Sequence, residues 1–432
     1  MKTKFMGIMA LIASIIATTA CQKDNADDTW RQIPVGQISV ESGKAVVTVN
    51  EIPETDGTVQ FVAENEDDAT LNLTGIVPGY AEIQVAVDIQ KESDDSFAFK
   101  GSTTLSTPPS IAATLRSTEE NPCYAVNVEG TITLEGVINV AVTTQVQGTS
   151  AFLVGTWSLT RQTKVDLTLT PVNGPVHITW KAAGAAGTAV SAILPTVNML
   201  ACQLVAETLD QVTFDESGNI MAKYYEDLDL GEDPMSAIKA LVGEVKPDLK
   251  GNVTFKAHHS DWTTSPKANL AFWYAFDNSL FVVPDVSAIS KAADDFSDSR
   301  TDIQETDISS FLEILNALKE YGVDVNAINA ELRKILSRGI ELKYSLDGGN
   351  LKVYVDKNQC DPMVTALIPA LSVLDTLFEQ LSQSNDPEDQ KTVAKIKLIM
   401  DILGLEKPSD LGTLWKATTE FEFALNLNNQ TN

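Results

Sequence analysis

Much of the chain alternates between apolar and polar residues with a period of two. Ile83, Val85, Val87 and Ile89 alternate with Glu82, Gln84, Ala86 and Asp88. Val126, Val128, Ile132 and Leu134 alternate with Asn127, Glu129, Thr131 and Thr133, and Ile138, Val140, Val142, Thr144 and Val146 repeat the pattern. Successive side chains of a strand point to opposite faces, so this alternation predicts antiparallel strands with one buried and one wet face. Turn-forming breaks separate them at Pro78-Gly79, Ser93-Asp94-Asp95, Pro108-Pro109 and Glu135-Gly136. Residues 36–150 are therefore expected to form an all-β unit.

From Gly155 the pattern is mixed. Strands are predicted at Val165–Leu169, Val176–Trp180, Val253–His258, Leu270–Phe276 and Leu280–Val283, with a hairpin from Val212 to Tyr224 around the turn Glu216-Ser217-Gly218-Asn219. The charge-free run Ala189–Ala206 contains Pro195, Asn198 and Gln203, so the apolar helix candidate Ala192–Leu209 reads as a buried helix rather than a membrane span. Asp233-Pro234 opens another helix to about Val245, with the acid as cap and proline at the first helical position. Helical spacing then dominates 303–339 and 361–406. It runs through Ile308, Phe311, Leu312, Leu315 and Leu318, then Val325, Ile328, Leu332 and Ile335, then Met363–Leu381 and Val393–Leu403. A hairpin at 340–355 and a final alternating strand at 419–427 interrupt and close this region. A strand that follows two helices must return to a sheet already built, so 151–432 is read as one α+β unit.

The N-terminus has a different grammar. Lys2 and Lys4 precede the apolar run Phe5–Ala17, and Thr18-Thr19-Ala20 lead to Cys21. Residues 1–20 have the charged, apolar and small-residue order of a secretory signal and are too short for a comfortable membrane span. The junction resembles the lipobox of bacterial lipoproteins, although Thr18 stands where leucine is usual. That resemblance implies cleavage before Cys21, a lipid on its thiol and an N-terminal membrane anchor. Gln22-Lys23-Asp24-Asn25-Ala26-Asp27-Asp28, within an acidic tether over 21–35, looks like the signal that sends Bacteroidota lipoproteins to the outer face of the outer membrane. A periplasm-facing anchor is the alternative.

Charge narrows the partners. The 432 residues include 31 Lys and Arg against 59 Asp and Glu, a net charge of −28. Such a surface repels phosphate backbones, so nucleic acid is not expected as a partner. With 44% apolar and 21% charged residues the chain can build a core.

Four strings stand in a familiar order: Ala69-Thr70-Leu71-Asn72-Leu73-Thr74-Gly75-Ile76-Val77-Pro78-Gly79, Val154-Gly155-Thr156-Trp157-Ser158-Leu159, Val212 through Ile220, and Trp262-Thr263-Thr264-Ser265-Pro266 with Asn269-Leu270-Ala271. Together they resemble a family of Bacteroidota surface lipoproteins of unknown function related to calycin-like β-barrel domains, over roughly residues 65–300. The resemblance implies a barrel-like sheet able to hold a small ligand and carries over no catalytic residue. The expected fold class is α+β: an N-terminal antiparallel all-β unit, calycin-like or sandwich, followed by an antiparallel sheet with several amphipathic helices.

Catalytic templates are sparse. There is no G-x-S-x-G, H-E-x-x-H or G-x-x-x-x-G-K-[ST] string. Ser236-Ala237-Ile238-Lys239 fits S-x-x-K without its partner motifs. Asp227-Leu228-Asp229-Leu230-Gly231-Glu232-Asp233 places acids at alternate positions, as hard-cation loops do, but lacks the later bidentate glutamate. His258 and His259, adjacent on a strand, point to opposite faces and do not easily share a metal. Cys123, Cys202 and Cys360 are an odd set that reads as buried apolar residues, with room for at most one disulfide. No catalytic residue, metal or cofactor is expected. Trp262, Trp273 and Tyr274 offer flat faces that stack on sugars or lipids, with core packing as the alternative. Leu371 lies on the broad apolar stretch Met363–Leu381, which is packed on both sides or lines a cavity together with Ala192–Leu209. The expected function is non-enzymatic binding of a glycan or a small apolar ligand by an outer-membrane, surface-exposed lipoprotein. The alternative is a structural or accessory envelope protein acting through protein–protein contacts.

Overall fold

A computed structural model describes residues 28–77, 79–106, 122–226, 228, 240, 243–284, 324–328, 330, 339–384, 386, 389–390, 392–394, 396–397, 400 and 405–429. The fold is mixed, with 28% helix and 44% strand, and its antiparallel sheets are curled. Nine strands form the first sheet: β1 (Gln37–Ser39), β2 (Ala45–Val49), β3 (Ile52–Pro53), β4 (Thr58–Ala63), β5 (Asp68–Thr74), β6 (Glu82–Lys91), β7 (Ser96–Ser106), β8 (Pro122–Thr133) and β9 (Ile138–Val146). Their order is β1-β4-β5-β6-β7-β8-β9-β2-β3.

That order dictates the curl. β1 and β2 pair with opposite ends of the run β4–β9, yet only residues 40–44 join them. Five residues reach at most about 18 Å, so the edges must approach each other. The link is fastened to both: Val40 N–H donates to Gly57 O (3.0 Å), and Ile138 N–H donates to Lys44 O (2.9 Å). The chain enters β2 across this closure instead of through a hairpin, so β2 runs parallel to β9, from Ala45↔Ile138 to Val49↔Val142. An entirely antiparallel unit was expected, and this pair departs from it. The alternating residues read from the sequence do face inward. Phe61, Leu71, Val85, Phe99, Val126 and Val142 are buried and fill the inside of the curl.

The second sheet takes strands from across the rest of the chain: β10 (Gly155–Leu159), β13 (Val176–Ala182), β14 (Leu209–Phe214), β15 (Ile220–Tyr224), β17 (Thr263–Thr264), β18 (Ala271–Phe276), β19 (Ser279–Pro284), β20 (Ile340–Asp347), β21 (Asn350–Asp356) and β22 (Thr418–Asn428). β22 is central. One side pairs with β21, and the other pairs with β13 over most of its length and with β10 at its end. The hairpin and final strand thus join this sheet, as the sequence predicts. A small third sheet holds β11 (Gln162–Val165), β12 (Pro171–Val172) and β16 (Asn252–Thr254) in the order β12-β11-β16.

The helix expected at Ala192–Leu209 is α1, Gly184–Thr208. It is long and apolar enough to cross a membrane by composition, but specific polar contacts seat it on β13. Asn198 Oδ1 accepts Ile178 N–H at 2.7 Å, Asn198 Nδ2 donates to Ile178 O at 2.9 Å, and the Cys202 thiol donates to Val176 O at 3.0 Å. The single helix expected over Met363–Leu381 is instead α2 (Lys357–Leu367), a 3₁₀ turn (Ile368–Ala370) and α3 (Leu371–Gln383). Pro369 lacks an N–H and crowds the preceding turn, which breaks the run. The helix starts early because Asp356 and Gln359 form a reciprocal capping box. A further helix, α4 (Asp410–Ala417), leads into β22. The helices expected at 233–245 and 303–339 lie almost wholly outside the described residues, as do Ser236, Lys239 and most of the acidic string 227–233. Of the helix expected at Val393–Leu403, residues 393–394, 396–397 and 400 are described, and they are helical.

Buried apolar residues of the first and second sheets belong to one continuous cluster. The junction is polar as well as apolar, and the β14–β15 turn forms much of it. Asn50 Nδ2 donates to Thr144 Oγ1 (2.9 Å), Thr144 Oγ1 donates to Ser217 O, and Val146 N–H donates to Glu216 O (2.8 Å). Asn219 Nδ2 donates to Asn269 Oδ1 (2.9 Å), and Asn269 Nδ2 reaches Val49 O (2.9 Å). Gly218 has φ +93°, and a Cβ there would lie 2.9 Å from the Tyr124 ring. The glycine is what lets this turn close against β8.

Candidate functional site

A groove of about 470 Å³ lies on the solvent face of the first sheet, at the middle of its four longest strands. Its position follows from the same alternation that builds the core. Asp88 on β6, Lys100 and Ser102 on β7, Asn127 and Glu129 on β8, and Thr143 on β9 are the outward partners of the buried residues between them. Strand register places them in two rows. Asp88 is opposite Lys100, which is opposite Glu129; Ser102 is opposite Asn127, which is opposite Thr143. The floor is small, formed by Gly101 and Ala141. At Gly101 a Cβ would lie 2.2 Å from Ala86 O, and at Gly130 one would lie 1.9 Å from Asn139 O and 2.6 Å from Phe99 Cζ. Neighbouring backbone therefore approaches these positions more closely than any side chain allows. The groove offers two carboxylates, one ammonium, one amide and two hydroxyls within a few residues, a surface that matches a hydroxyl-rich ligand better than an apolar one.

The aromatic candidates are placed otherwise. Trp273 is 0% exposed and Tyr274 1%. Trp273 meets the Phe214 ring at 5.0 Å and donates from Nε1 to Asp215 O, while Tyr274 meets Tyr124 at 6.3 Å and stacks on Phe281 at 5.0 Å. Both faces of β18 are thus covered, one by its own sheet's turn and one by the first sheet. Neither ring is open to a ligand, which corrects the reading of Trp273 and Tyr274 as ligand contacts. Leu371 is half-buried, and Gly412 of α4 packs on it and on Ile368. It is not among the residues that line the groove. Cys21 lies outside the described residues.

Trp262 belongs to a separate cluster beneath the C-terminal end of α1. His259 stacks on Tyr225 with centroids 3.7 Å apart and tilts against Trp262 at 4.5 Å, and the Arg161 guanidinium lies 5.6 Å over the same indole. Arg161 also donates to Ala206 O and Leu209 O and pairs with Asp210 at 3.2 Å, so it satisfies the carbonyls where α1 ends. Beside it, Glu207 is only 2% exposed. Its carboxylate accepts His258 N–H at 2.9 Å, the His258 ring at Nδ1, and Gln203 Nε2 at 2.6 Å. His258 Nε2 contacts Glu244 at 3.0 Å. The hydrogen bond to the Glu207 carboxylate, opposed in part by burial, raises the His258 pKa above its ordinary value. The sequence marked both histidines but not Glu207, which is 51 positions away from His258 in the chain.

Cys123, Cys202 and Cys360 are not joined to one another by disulfides. Burial pushes Cys202 up to about 12, so it is an inert packing residue. Among the described residues no group of three or more His, Cys, Asp and Glu is arranged to hold a metal. No family model, curated protein or solved structure matches this chain.

Proposed function

We propose that this chain is a lipid-anchored protein of the cell envelope, facing outward from the outer membrane, that binds a glycan or similarly hydroxylated ligand without transforming it. The observation that carries the reading is the polar groove on the outer face of the first sheet. Of the two ligand classes the sequence leaves open, Asp88, Lys100, Ser102, Asn127, Glu129 and Thr143 suit the hydrophilic one. The curl of that sheet is compatible with the calycin-like resemblance. Its interior, however, is filled by side chains, which favours a site on the outside. Cys21 after the apolar run supplies the anchor. A non-enzymatic role fits the His258 cluster too, because both ring nitrogens already face carboxylates and neither is left to take a proton from a nucleophile.

The filled interior also favours a second reading, an accessory envelope protein that acts through protein contacts. Titration of the whole chain with a panel of soluble polysaccharides separates the two. Saturable binding that Ser102→Trp weakens at least about tenfold, with unchanged thermal stability, is expected if the groove is the site. Binding that survives this substitution, or none across the panel, would leave the accessory role.

A further inference from the structure

Two turns at one end of the third sheet carry leucines that no described residue covers. β11 ends at Val165, where β12 and β16 begin, so the turns 166–170 and 248–251 lie side by side. Val165 N–H donates to Gly251 O at 2.9 Å and joins them. Leu167 is 104% exposed, Leu249 108% and Leu169 60%. Leu169 also has φ +63°, a left-handed conformation that glycine or asparagine adopts at far lower cost. Leucine at this position is therefore unfavourable both to water and to the backbone.

The turns are tightly built. Asp166 Oδ1 accepts from Thr168 N–H (2.8 Å), Thr168 Oγ1 (2.7 Å) and Thr170 N–H (2.9 Å). Asp248 Oδ1 accepts from Lys250 N–H (2.7 Å) and Asn252 N–H (2.8 Å), and Oδ2 accepts from Asn252 Nδ2 (2.8 Å). Asp166 N–H and Asp248 N–H donate to Thr170 O and Asn252 O, and Leu169 N–H and Gly251 N–H return to Asp166 O and Asp248 O. Most backbone donors of both tips are thus satisfied within the turns, the condition for backbone to enter a region poor in water. Lys164 and Lys250, both exposed, offset Asp166 and Asp248, so the tip is locally neutral on a chain of net charge −28.

We infer that these turns form a membrane-contact tip, with Leu167, Leu169 and Leu249 dipping to the acyl boundary of a bilayer and Lys164 and Lys250 at the level of the lipid phosphates. Three protruding leucines fall far short of the roughly 1,000 Å² of a stable protein interface and enclose no pocket for a small molecule. The inference rests on the envelope-anchored part of the proposed function, not on the groove. It also bears on orientation. The N-terminal turn Asp28–Gln32 lies by the β6–β7 and β8–β9 turns, where Lys91 Nζ meets Thr29 Oγ1 (3.4 Å) and Pro34 abuts Gly136. The second sheet abuts the other end of β8, at Tyr124. A lipid on Cys21 and this tip would be two attachments in different units, holding the molecule along the surface instead of upright on a tether.

The test places tryptophan at Leu167 or Leu249 of the whole chain, with Val46→Trp on the first sheet as control, and adds phosphatidylcholine vesicles with or without brominated acyl chains. Brominated lipid is expected to quench the emission added by Leu167→Trp and by Leu249→Trp and to leave that of Val46→Trp unchanged. Two independent positions guard against one variant folding poorly. Absence of quenching at both positions overturns the tip. So does a blue shift of their emission that follows protein concentration without vesicles, which would mark a protein contact. Fatty-acid labelling that Cys21→Ala abolishes checks the anchor separately, so an anchored chain with unquenched tips would reject this inference alone.

Discussion

His258 lies between a buried carboxylate and an exposed one, and the Glu207 hydrogen bond is the largest cause of its raised pKa. At the same end of α1, Asp210, Arg161 and Lys223 are paired among themselves. A folded-state pKa above the ordinary value of about 6.5 stabilises the fold fully below that pH and loses the contribution as pH rises through the folded value. His258→Asn is therefore expected to lower the melting temperature more at pH 6 than at pH 9. With the ring 41% exposed, solvent screens the pair and keeps the difference to a few degrees. An equal loss at both pH values would mean that the ring acts by packing alone. The adjacent histidines do not lie on a strand with opposite faces, the expectation from sequence, but beyond β16, which ends at Thr254. Both meet Glu207, His258 at the carboxylate and His259 Nε2 at the backbone O (2.7 Å), so only the residues themselves were legible. Their partners were not, since spacing along a chain does not report which distant carboxylate a helix end will deliver.

Among the elements, α1 shows how an apolar helix is told from a membrane span. Asn198 pairs with both backbone groups of Ile178, so Asn198→Ala leaves a buried N–H and C=O without their partner. The expected cost is about 1–3 kcal/mol for each group left unsatisfied, read by urea denaturation. A near-zero change would show that water takes over the site. Strands with one wet face were readable almost to the residue, as β6 and β9 show, because period-two alternation is a direct imprint of burial. The helices read less well. Apolar spacing continued through Pro369, whose effect on the backbone is independent of hydrophobicity, and the Asp356–Gln359 capping box that begins α2 was an available signal that the apolar stripe overshadowed. The groove was also out of reach. Its residues are the polar half of the alternation, and only strand order brings Asp88, Lys100 and Glu129 into one row.

For the whole molecule, the shared core and the polar junction predict coupled unfolding. Asn269 ties Asn219 of the second unit to Val49 of the first, and Asn269 N–H donates to Asn219 Oδ1 at 2.9 Å. Calorimetry should show one transition for the native chain. Asn269→Ala should lower its midpoint by several degrees, from loss of about 1–3 kcal/mol. Two resolved transitions in the native chain would show that the halves are thermodynamically separate. Two of the four strings that carried the family resemblance contribute to this junction, through Glu216, Ser217 and Asn219 and through Asn269, which is why those parts read as turn and packing residues. The position of β22 has a consequence for the order of events during synthesis. Val176 finds its partner at Leu425, and Ser158 at Asn428, so the middle of the second sheet is the part made last. Residues 155–356 emerge with their central neighbour still missing, and contacts of such long sequence separation form slowly. The nascent second unit therefore stays open at its centre and closes only when residues 418–428 arrive.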